Sequence, residues 1–463
     1  MIRKIILFLF LVVFIAGFSY PDINIPDESS LFQGETMVDT NKIISNALVS
    51  NANQKSVSLT GNIQSITGYN MTAGFLKGTT NTDQNQWFPV TEGNLFLDIR
   101  LTQGVKAFAN IQANYIPINS IAAEAFTGSA TPSTNISTSN ITTLNIQELF
   151  MDANINNAVY FRAGKQVLQW GVGNYWSPSD LINIQKESFV ALSGAYSQYI
   201  EGVYGLKTHI PFGTSANLYG FINMNGANNP QDLAFAGKAE FLISPVEIAA
   251  AIWAKNDYHP VYALDLTTRL FNWVDFRGEA SFADCDNLPI YSPSSNVTVG
   301  YGPYSTTYLV PYSVSNQLVT KVAIGFVKTF DWELSDRISV TVEFYYKSDG
   351  YTQNYLTNSL FYNAIQEAEL MGQPAFTMSD FYAYNWLVST SCNEFINQNI
   401  TFFLTAIGNF VDYSFLIGPT ISWNPIYDFT LNLSLYGYVG AQYTEYTFNI
   451  SGLTVLLTGS IVF

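Results

Sequence analysis

The chain has 463 residues, of which 12% are charged, 15% are aromatic and 48% are hydrophobic, and its formal net charge is −16. Soluble globular proteins carry about twice that share of charged residues, and an acidic chain lacks the basic surface that nucleic acids require. The composition therefore excludes a nucleic-acid-binding protein. It also argues against a string of soluble domains, because no linker, charge block or compositional break divides the chain.

The first residues have the organisation of an export signal. Arg3 and Lys4 precede an uncharged run over residues 5–16 and the short segment Gly17-Phe18-Ser19, which is the order of regions in a secretory signal peptide. We predict a signal peptide over residues 1–19 and a periplasmic tail or plug over residues 20–55. No later stretch reaches the ~18 consecutive apolar residues of a membrane-spanning helix, so strands would have to cross any membrane.

From residue 56 onward, segments of alternating hydrophobicity are separated by turn residues, which is the pattern of β-strands. The count is even, as single-chain bacterial barrels require. We predict an all-β fold, a transmembrane antiparallel β-barrel over residues 56–463, with 18 strands and 16 as the alternative. The predicted strands centre on 57–64, 95–102, 107–115, 144–154, 159–169, 199–208, 216–225, 233–243, 246–255, 261–270, 274–283, 318–329, 338–347, 381–390, 399–408, 414–423, 429–439 and 447–463.

The connections between predicted strands support the same topology. The long polar excursions at 117–142, 171–197, 284–317 and 348–380 all follow odd-numbered strands, whereas the even-numbered connections are short. Outer-membrane barrels have long extracellular loops on one side and short periplasmic turns on the other. We therefore predict that both termini are periplasmic. The last excursion also contains helix-forming residues, which predict a short helix within 356–371.

The last strand ends on an aromatic residue. Leu453, Val455, Leu457, Ile461 and Phe463 alternate with smaller or polar residues, and this resembles the C-terminal signal strand of bacterial outer-membrane β-barrels. The resemblance implies an outer-membrane location, lipid as one partner and the barrel-assembly machinery, which would read Phe463, as another. A terminal strand of a soluble β-sandwich would show the same alternation and is the alternative.

Charged residues fall on the face opposite to the apolar one. An Arg or Lys that faces lipid at mid-membrane costs about 2 to 4 kcal/mol, so this face should line the lumen. A barrel of 16 to 18 strands is too wide for side chains to fill, which predicts a water-filled channel. The alternative is that these charges only pair with one another. The predicted pore-lining residues are Asp98, Arg100, Glu148, Asp152, Arg162, Lys238, Glu240, Lys255, Asp265, Arg269, Asp275, Arg277, Glu279, Glu343 and Lys347.

Residues 164–183 contain the most specific local motif. A strand with Gly164-Lys165-Gln166 runs into Trp170-Gly171 and then into Pro178-Ser179-Asp180. This resembles a segment of porin-like outer-membrane families related to alginate-export and phosphate-selective barrels, and the resemblance implies a porin-like barrel but no particular substrate. Its glycines and proline permit a loop that folds inward, and the alternative is a packing motif that closes the barrel mouth. The predicted constriction residues are Trp170, Tyr175, Trp176, Asp180 and Asn183.

These features favour a passive channel for small hydrophilic solutes, with no enzymatic activity, cofactor or metal. A non-conducting structural protein or surface adhesin is the main alternative. An outer-membrane hydrolase is disfavoured because the chain has only His209 and His259, of which the second shares a turn with Asp257. Transport of hydrophobic compounds would require an apolar lumen, which the predicted wall charges argue against. Cys285 and Cys392 could form one disulfide in an oxidising compartment, and the sequence leaves their pairing and the oligomeric state open.

Overall fold

The computed structural model describes residues 56–72, 86–101, 104–117, 141–183, 188–284, 290–299, 306–312, 317–331, 337–359, 361–363, 365, 378–448 and 451–463. The predicted signal peptide, the segment 20–55, most of the excursion at 117–142 and Cys285 lie outside these residues. The predictions that concern them, including a bridge from Cys285 to Cys392, stay predictions.

Eighteen strands form one closed antiparallel sheet. Each strand pairs with the next one along the sheet, and β1 pairs with both β2 and β20, which closes the barrel. The 18-stranded barrel is confirmed, and the alternative of 16 strands is wrong. The strands are β1 Ser56–Thr72, β2 Gln86–Arg100, β3 Lys106–Ile116, β4 Ile141–Ile155, β5 Val159–Gln166, β6 Val203–Phe212, β7 Ala216–Asn223, β8 Ala234–Ile243, β9 Val246–Lys255, β10 Val261–Leu270, β11 Val274–Ala283, β12 Ile290–Val299, β13 Thr306–Tyr312, β14 Val319–Asp331, β15 Arg337–Lys347, β16 Tyr384–Cys392, β17 Ile400–Asn409, β18 Phe415–Ile426, β19 Phe429–Val439 and β20 Ser451–Val462.

Strands β12 and β13 are the two that do not join the barrel. They form a separate hairpin between β11 and β14, which pair directly with each other. This hairpin lies within the predicted polar excursion at 284–317 and was not predicted. Pro293 and the serines beside it are turn signals that hide the strand pattern.

The alternation of apolar and polar residues in the sequence produces the outer and inner faces of the barrel wall. On β20, Leu456 is 1% exposed and its neighbour Leu457 is 47% exposed, because successive side chains of a strand point to opposite faces. The outer face carries exposed apolar residues such as Leu59 and Leu433, whereas polar residues such as Gln64 on the inner face are buried.

Several predicted strand ends differ from the structure, and two of them border the same connection. β5 ends at Gln166 instead of Gln169, and β6 begins at Val203 instead of Tyr199. The next amide after β5, that of Val167, donates to a carboxylate oxygen of Glu148 at 3.0 Å instead of continuing the ladder. Residues 167–202 thus leave the wall three residues earlier than predicted. We call this connection the inward loop, and it contains one short helix, α1, Phe189–Leu192.

The predicted loop helix within 356–371 is only partly described. A 3-10 turn spans Tyr355–Thr357, residues 361–363 are helical, and residues 366–377 lie outside the described part. Among the described residues, no helix is long and apolar enough to cross a membrane.

Candidate functional site

The inward loop contacts side chains from strands all around the barrel. Its partners come from β1, β8, β11, β15 and β19, and a loop can reach all of these only by crossing the interior of the closed sheet. The loop therefore enters the lumen, and the following contacts hold it there.

Glu279 on β11 holds the first part of the loop. Its carboxylate accepts hydrogen bonds from the backbone N–H groups of Val172 and Gly173, and from the N–H and hydroxyl of Ser179 at 2.9 and 2.7 Å. Gly173 is required here, because a Cβ at this position would lie 2.1 Å from the carbonyl oxygen of Trp176. The chain therefore curls tightly around one carboxylate.

Glu343 on β15 holds the next three residues. Its oxygens accept from the backbone N–H groups of Asn174 at 2.8 Å, Tyr175 at 3.3 Å and Trp176 at 2.6 Å. Glu343 is 1% exposed, so these N–H groups are the means by which its charge is solvated. Hydrogen bonds that involve a charged group are about twice as strong as neutral ones.

Two cations of the wall bind loop carbonyl groups. Arg277 donates to the carbonyl oxygen of Val172 at 3.2 Å and to the side-chain oxygen of Asn174 at 3.1 Å. Lys238 donates to the carbonyl oxygen of Trp170 at 2.7 Å and forms ion pairs with Glu240 and Asp265 at 3.0 and 3.3 Å.

The aromatic tip of the loop packs against the wall and against a second connection. The ring of Trp176 is fully buried and stacks on Tyr345, with ring centroids 5.3 Å apart. Its indole N–H donates to the carbonyl oxygen of Ser379 at 3.0 Å, and the hydroxyls of Tyr175 and Ser379 are 2.9 Å apart. Ser379 has a φ of 70°, an uncommon backbone conformation for a residue other than glycine.

The second half of the loop is fixed to the strands where the barrel closes. The side chain of Gln64 on β1 exchanges two hydrogen bonds with the backbone of Ser197, at 2.8 and 3.2 Å. Asn432 on β19 donates to the carbonyl oxygen of Ala195 at 3.0 Å, and the hydroxyls of Ser193 and Tyr436 are 2.6 Å apart. Contacts with the wall therefore hold the loop in the described parts on both sides of residues 184–187.

The predicted constriction residues lie in this loop. Trp170, Trp176 and Asn183 are buried, and the two tryptophans pack against residues of the wall. Asp180 accepts from the backbone N–H of Trp170 at 3.4 Å. Burial, with some help from Glu279, raises the pKa of Asp180 to about 7, and burial raises the pKa of Tyr175 to about 12. Their contribution to a constriction stays a prediction.

The motif itself divides between the two faces of the wall. Lys165 is paired with Leu149 and Tyr204, two residues of the exposed apolar face, and its ammonium forms an ion pair with Glu201. Gln166 is fully buried and donates to the carbonyl oxygen of Gly205 at 3.2 Å. This half of the motif holds the start of the loop in place.

A row of charged residues crosses five neighbouring strands at the end with the short turns. Arg100 is opposite Lys106, Lys106 is opposite Asp152, Asp152 is opposite Arg162, and Arg162 is opposite Lys207. Arg162 forms a two-pronged ion pair with Asp152 at 2.7 and 3.1 Å. We call these five residues the cationic row, because four of its members are basic.

The remaining predicted wall charges lie at several levels of the barrel. Asp98 pairs with Arg100 and Lys106 at 3.3 and 3.1 Å. Arg269 and Asp275 form a 2.7 Å ion pair beside a short turn, and both are largely exposed. Lys347 lies at the other end, within 3.5 Å of Asp349 and Asp380. Lys255 lies 5.1 Å from the ring centroid of Tyr258.

A buried carboxylate joins three further connections near the loop tip. Glu445 is 0% exposed and accepts from the backbone N–H of Ser379 at 2.7 Å and from the amide of Asn409 at 2.8 Å, and its own N–H donates to Asp412 at 2.7 Å. Burial and the neighbouring Asp412 raise the pKa of Glu445 to about 8. We call these four residues the carboxylate knot.

Sequence reasoning did not find the carboxylate knot, Gln64 or Asn432 as loop contacts. It placed Glu279 and Glu343 on the inner face by parity, but it did not assign them to the loop. The positions of Gln64 and Asn432 on inner faces could have been read from the same parity. The partners of the knot could not, because they lie on irregular connections far apart in the chain.

The histidines and their neighbours have ordinary polar contacts. His209 lies 3.0 Å from the side-chain oxygen of Asn217 and stacks on Tyr219. Asp257 accepts from the amide of Asn256 at 3.0 Å.

Comparison with known proteins adds information on the fold. No protein-family model matches the chain, and no curated protein matches it in sequence. Among solved structures it is similar to a BenF-like porin from Pseudomonas fluorescens, with 9% identity, 88% of this chain and 98% of that chain covered, and a TM-score of 0.52. It is also similar to OccAB1 and OccAB3 of Acinetobacter baumannii, with 10% and 9% identity, 88% of this chain covered in both cases, 96% and 99% of those chains covered, and TM-scores of 0.51. The chain thus has the fold of a porin-like β-barrel.

Proposed function

We propose that the protein is an outer-membrane channel for the passive diffusion of small hydrophilic solutes, and that the inward loop forms its narrowest part. The observation that carries the proposal is the attachment of residues 172–179 to Glu279 and Glu343 on the inner wall. A barrel that only anchored surface loops would have no need of charged side chains to hold a loop across its interior.

The charges of the wall support a path for water and ions. The cationic row lies on the inner face, where a hydrated lumen lowers the cost of its charge. Charged groups in a narrow, low-dielectric passage also focus the electric field. This proposal includes no catalytic step.

Ion conductance in planar lipid bilayers tests the proposal. The full-length mature protein, refolded in detergent and added to one chamber, should give stepwise current increases of uniform size. A heat-denatured sample is the control for detergent leaks. A folded, heat-modifiable protein that inserts without any current would contradict the proposal and favour the structural protein or adhesin.

The cellular setting follows from the same proposal. Residues 1–19 would be removed on export, residues 20–55 would form a periplasmic tail or plug, and the long connections would be extracellular. The assembly machinery and outer-membrane lipid would be the partners. The finer resemblance of residues 164–183 to alginate-export and phosphate-selective barrels is a prediction about how the loop is built. Removal of residues 1–19 can be tested by N-terminal sequencing of the protein from the membrane, which should begin at Tyr20.

A further inference from the structure

Carboxamide side chains cover the inner face of the first four strands. Asn62 on β1 is directly opposite Asn94 on β2, which is directly opposite Gln112 on β3. Neighbouring strands are about 4.8 Å apart, so these groups form a continuous polar surface. We call the whole set the amide wall, and it consists of Asn62, Gln64, Asn94, Asn110, Gln112, Asn114 and Gln147.

Most of the amide wall lacks hydrogen-bond donors for its oxygens. Among the described residues, none donates to the side-chain oxygens of Asn62, Asn94, Asn110, Asn114 or Gln147, although these atoms are buried. Asn94 is 2% exposed and Asn110 is 3% exposed. A buried acceptor without a donor is unfavourable, so these oxygens call for a ligand that donates hydrogen bonds.

Aromatic rings continue the surface toward the cationic row. Tyr199 of the inward loop, Phe96, Phe108 and Phe150 form a chain with successive ring centroids 5.3, 6.4 and 5.2 Å apart. Phe96 and Phe108 are directly opposite Asn110 and Asp98. Amides and ring faces therefore lie side by side, and a few polar groups among aromatic side chains is the usual composition of a small-molecule site.

The charge of the wall argues for a neutral ligand. Glu92 and Glu148, which is directly opposite Asn110, are acidic residues beside the amides, and the carboxylate of Glu92 accepts from Asn94 at 3.0 Å and from Gln112 at 2.7 Å. Negative groups at these positions repel anions, whereas Lys106 and Arg162 of the cationic row lie at the other end of the aromatic chain, 5.2 Å from the ring centroid of Phe108 and 4.0 Å from that of Phe150. A solute on this surface therefore meets charges of both signs, which favours a neutral one. The hydroxyl of Tyr199 already accepts from the amide of Asn62 at 3.2 Å, so one hydroxyl is bound to this surface within the protein itself.

We propose that the amide wall and the aromatic chain form a binding site for a neutral polyhydroxylated solute, such as a sugar, on its way through the lumen. Its hydroxyls would donate to the carboxamide oxygens, and the C–H faces of its rings would pack on Phe96 and Phe108. The proposal rests on the proposed channel function, and it names the class of solute. Ser197 and Tyr199 of the inward loop already contact one edge of the amide wall. A bound solute would replace these contacts.

Block of the ion current by maltotriose tests the site. Maltotriose should reduce the current in a saturable way, whereas polyethylene glycol of the same size should not. The polyether accepts hydrogen bonds along its length but donates them only at its ends. The double variant Asn62→Ala/Asn94→Ala should weaken the block about tenfold, because each lost hydrogen bond to a sugar hydroxyl weakens binding several-fold. Asn217→Ala, an asparagine on β7 outside the amide wall, is the matched control and should leave the block unchanged.

A second measurement keeps the site testable if no current is seen. Saturation-transfer NMR on the detergent-folded protein should show contact with maltotriose for the native protein and the Asn217→Ala variant, and a reduced signal for the double variant. Ion current without maltotriose block and without NMR contact would overturn the sugar site and leave the channel standing. NMR contact without any ion current would overturn the channel and leave the site. Equal block by the polyether would also contradict the site.

Discussion

Glu279 and Glu343 take the place of backbone partners for a segment that forms no sheet. Residues 172–179 direct consecutive N–H groups at these two carboxylates. Each hydrogen bond to a charged group contributes roughly 1.5 to 3 kcal/mol. The conformation of residues 172–179 is therefore fixed mainly by two side chains that come from elsewhere in the chain.

Replacing Glu343 by alanine should release the tip of the inward loop. The N–H groups of Asn174, Tyr175 and Trp176 would lose their acceptor, and each buried N–H without a partner costs about 1 to 3 kcal/mol. We expect a larger and noisier single-channel conductance in planar bilayers. Glu247→Ala is the matched control, because Glu247 is also an acidic wall residue but contacts Thr267 instead of the loop.

A second variant separates release of the loop from loss of charge. Gly173→Ala alters no charge, but its Cβ would collide with the carbonyl group of Trp176. It should therefore increase conductance in the same direction as Glu343→Ala. If only the glutamate variant changes the current, the effect comes from the wall charge and the loop does not narrow the pore.

At the scale of elements, the carboxylate knot makes the stability of three connections depend on pH. The pKa of Glu445 is raised from 4.5 to about 8, first by burial and then by Asp412. The folded state therefore binds a proton that the unfolded chain releases near 4.5. The contribution of this protonated carboxyl group to the free energy of unfolding is complete below pH 4.5. It is lost as the pH rises from 4.5 to about 8. The connections should consequently open more often in alkaline solution.

Amide hydrogen exchange should detect this opening. After correction for intrinsic rates, protection at Ser379 and Phe381 should fall at least about tenfold between pH 5 and pH 9, since one pKa unit is worth about 1.4 kcal/mol. The variant Glu445→Gln should keep its protection constant over this range. Glu394→Gln, at an exposed turn, should behave like the native protein. Equal protection at both pH values would show that the knot does not titrate.

The cationic row and the inward loop should both influence ion selectivity. Arg162→Glu places a carboxylate opposite Asp152 in the row, and Asp180→Lys introduces a positive charge into the loop. Reversal potentials in a salt gradient should shift toward cation preference for the first variant and toward anion preference for the second.

A control for these reversals must lie outside the lumen. Asp349 lies in the predicted long excursion at 348–380 and would be an obvious control. It is unsuitable, because its side chain is 3% exposed and close to Lys321 and Lys347. Asp257, in an exposed turn, is the better choice, and Asp257→Lys should leave the reversal potential unchanged. A shift for Asp257→Lys as large as that for Asp180→Lys, with a shift of the same size and opposite sign for Arg162→Glu, would assign the selectivity to net charge alone.

For the whole molecule, the last residue completes the wall. Phe463 exchanges backbone hydrogen bonds with Gly61 at 2.8 and 2.9 Å, and its ring is exposed. Deleting Phe463 removes both hydrogen bonds and the aromatic signal, so the heat-modifiable folded form in the outer membrane should decrease. Phe463→Ala keeps the backbone bonds. A similar loss in both variants would assign the effect to recognition of the ring, and a normal yield in both would show that the terminal residue is dispensable.

The barrel could be predicted because its strands and short turns are each determined by residues close together in the sequence. Strands β9, β10 and β11 have the predicted bounds, since a period of two and a short turn can be read within ten residues. The partners of the inward loop were not predictable, because Trp176 and Ser379 are 203 residues apart and no local pattern relates them. The hairpin β12–β13 was missed for a local reason, namely a proline and serines within its first strand.

The attachment of the inward loop has a consequence for the order of events in biogenesis. The loop follows β5, but its contacts include Glu343 on β15 and Asn432 on β19, which are synthesised long after it. Contacts between distant parts of a chain form late, because a long loop must first be closed. Trp176 therefore stays without its final partners, Tyr345 and Ser379, until the second half of the wall has been synthesised.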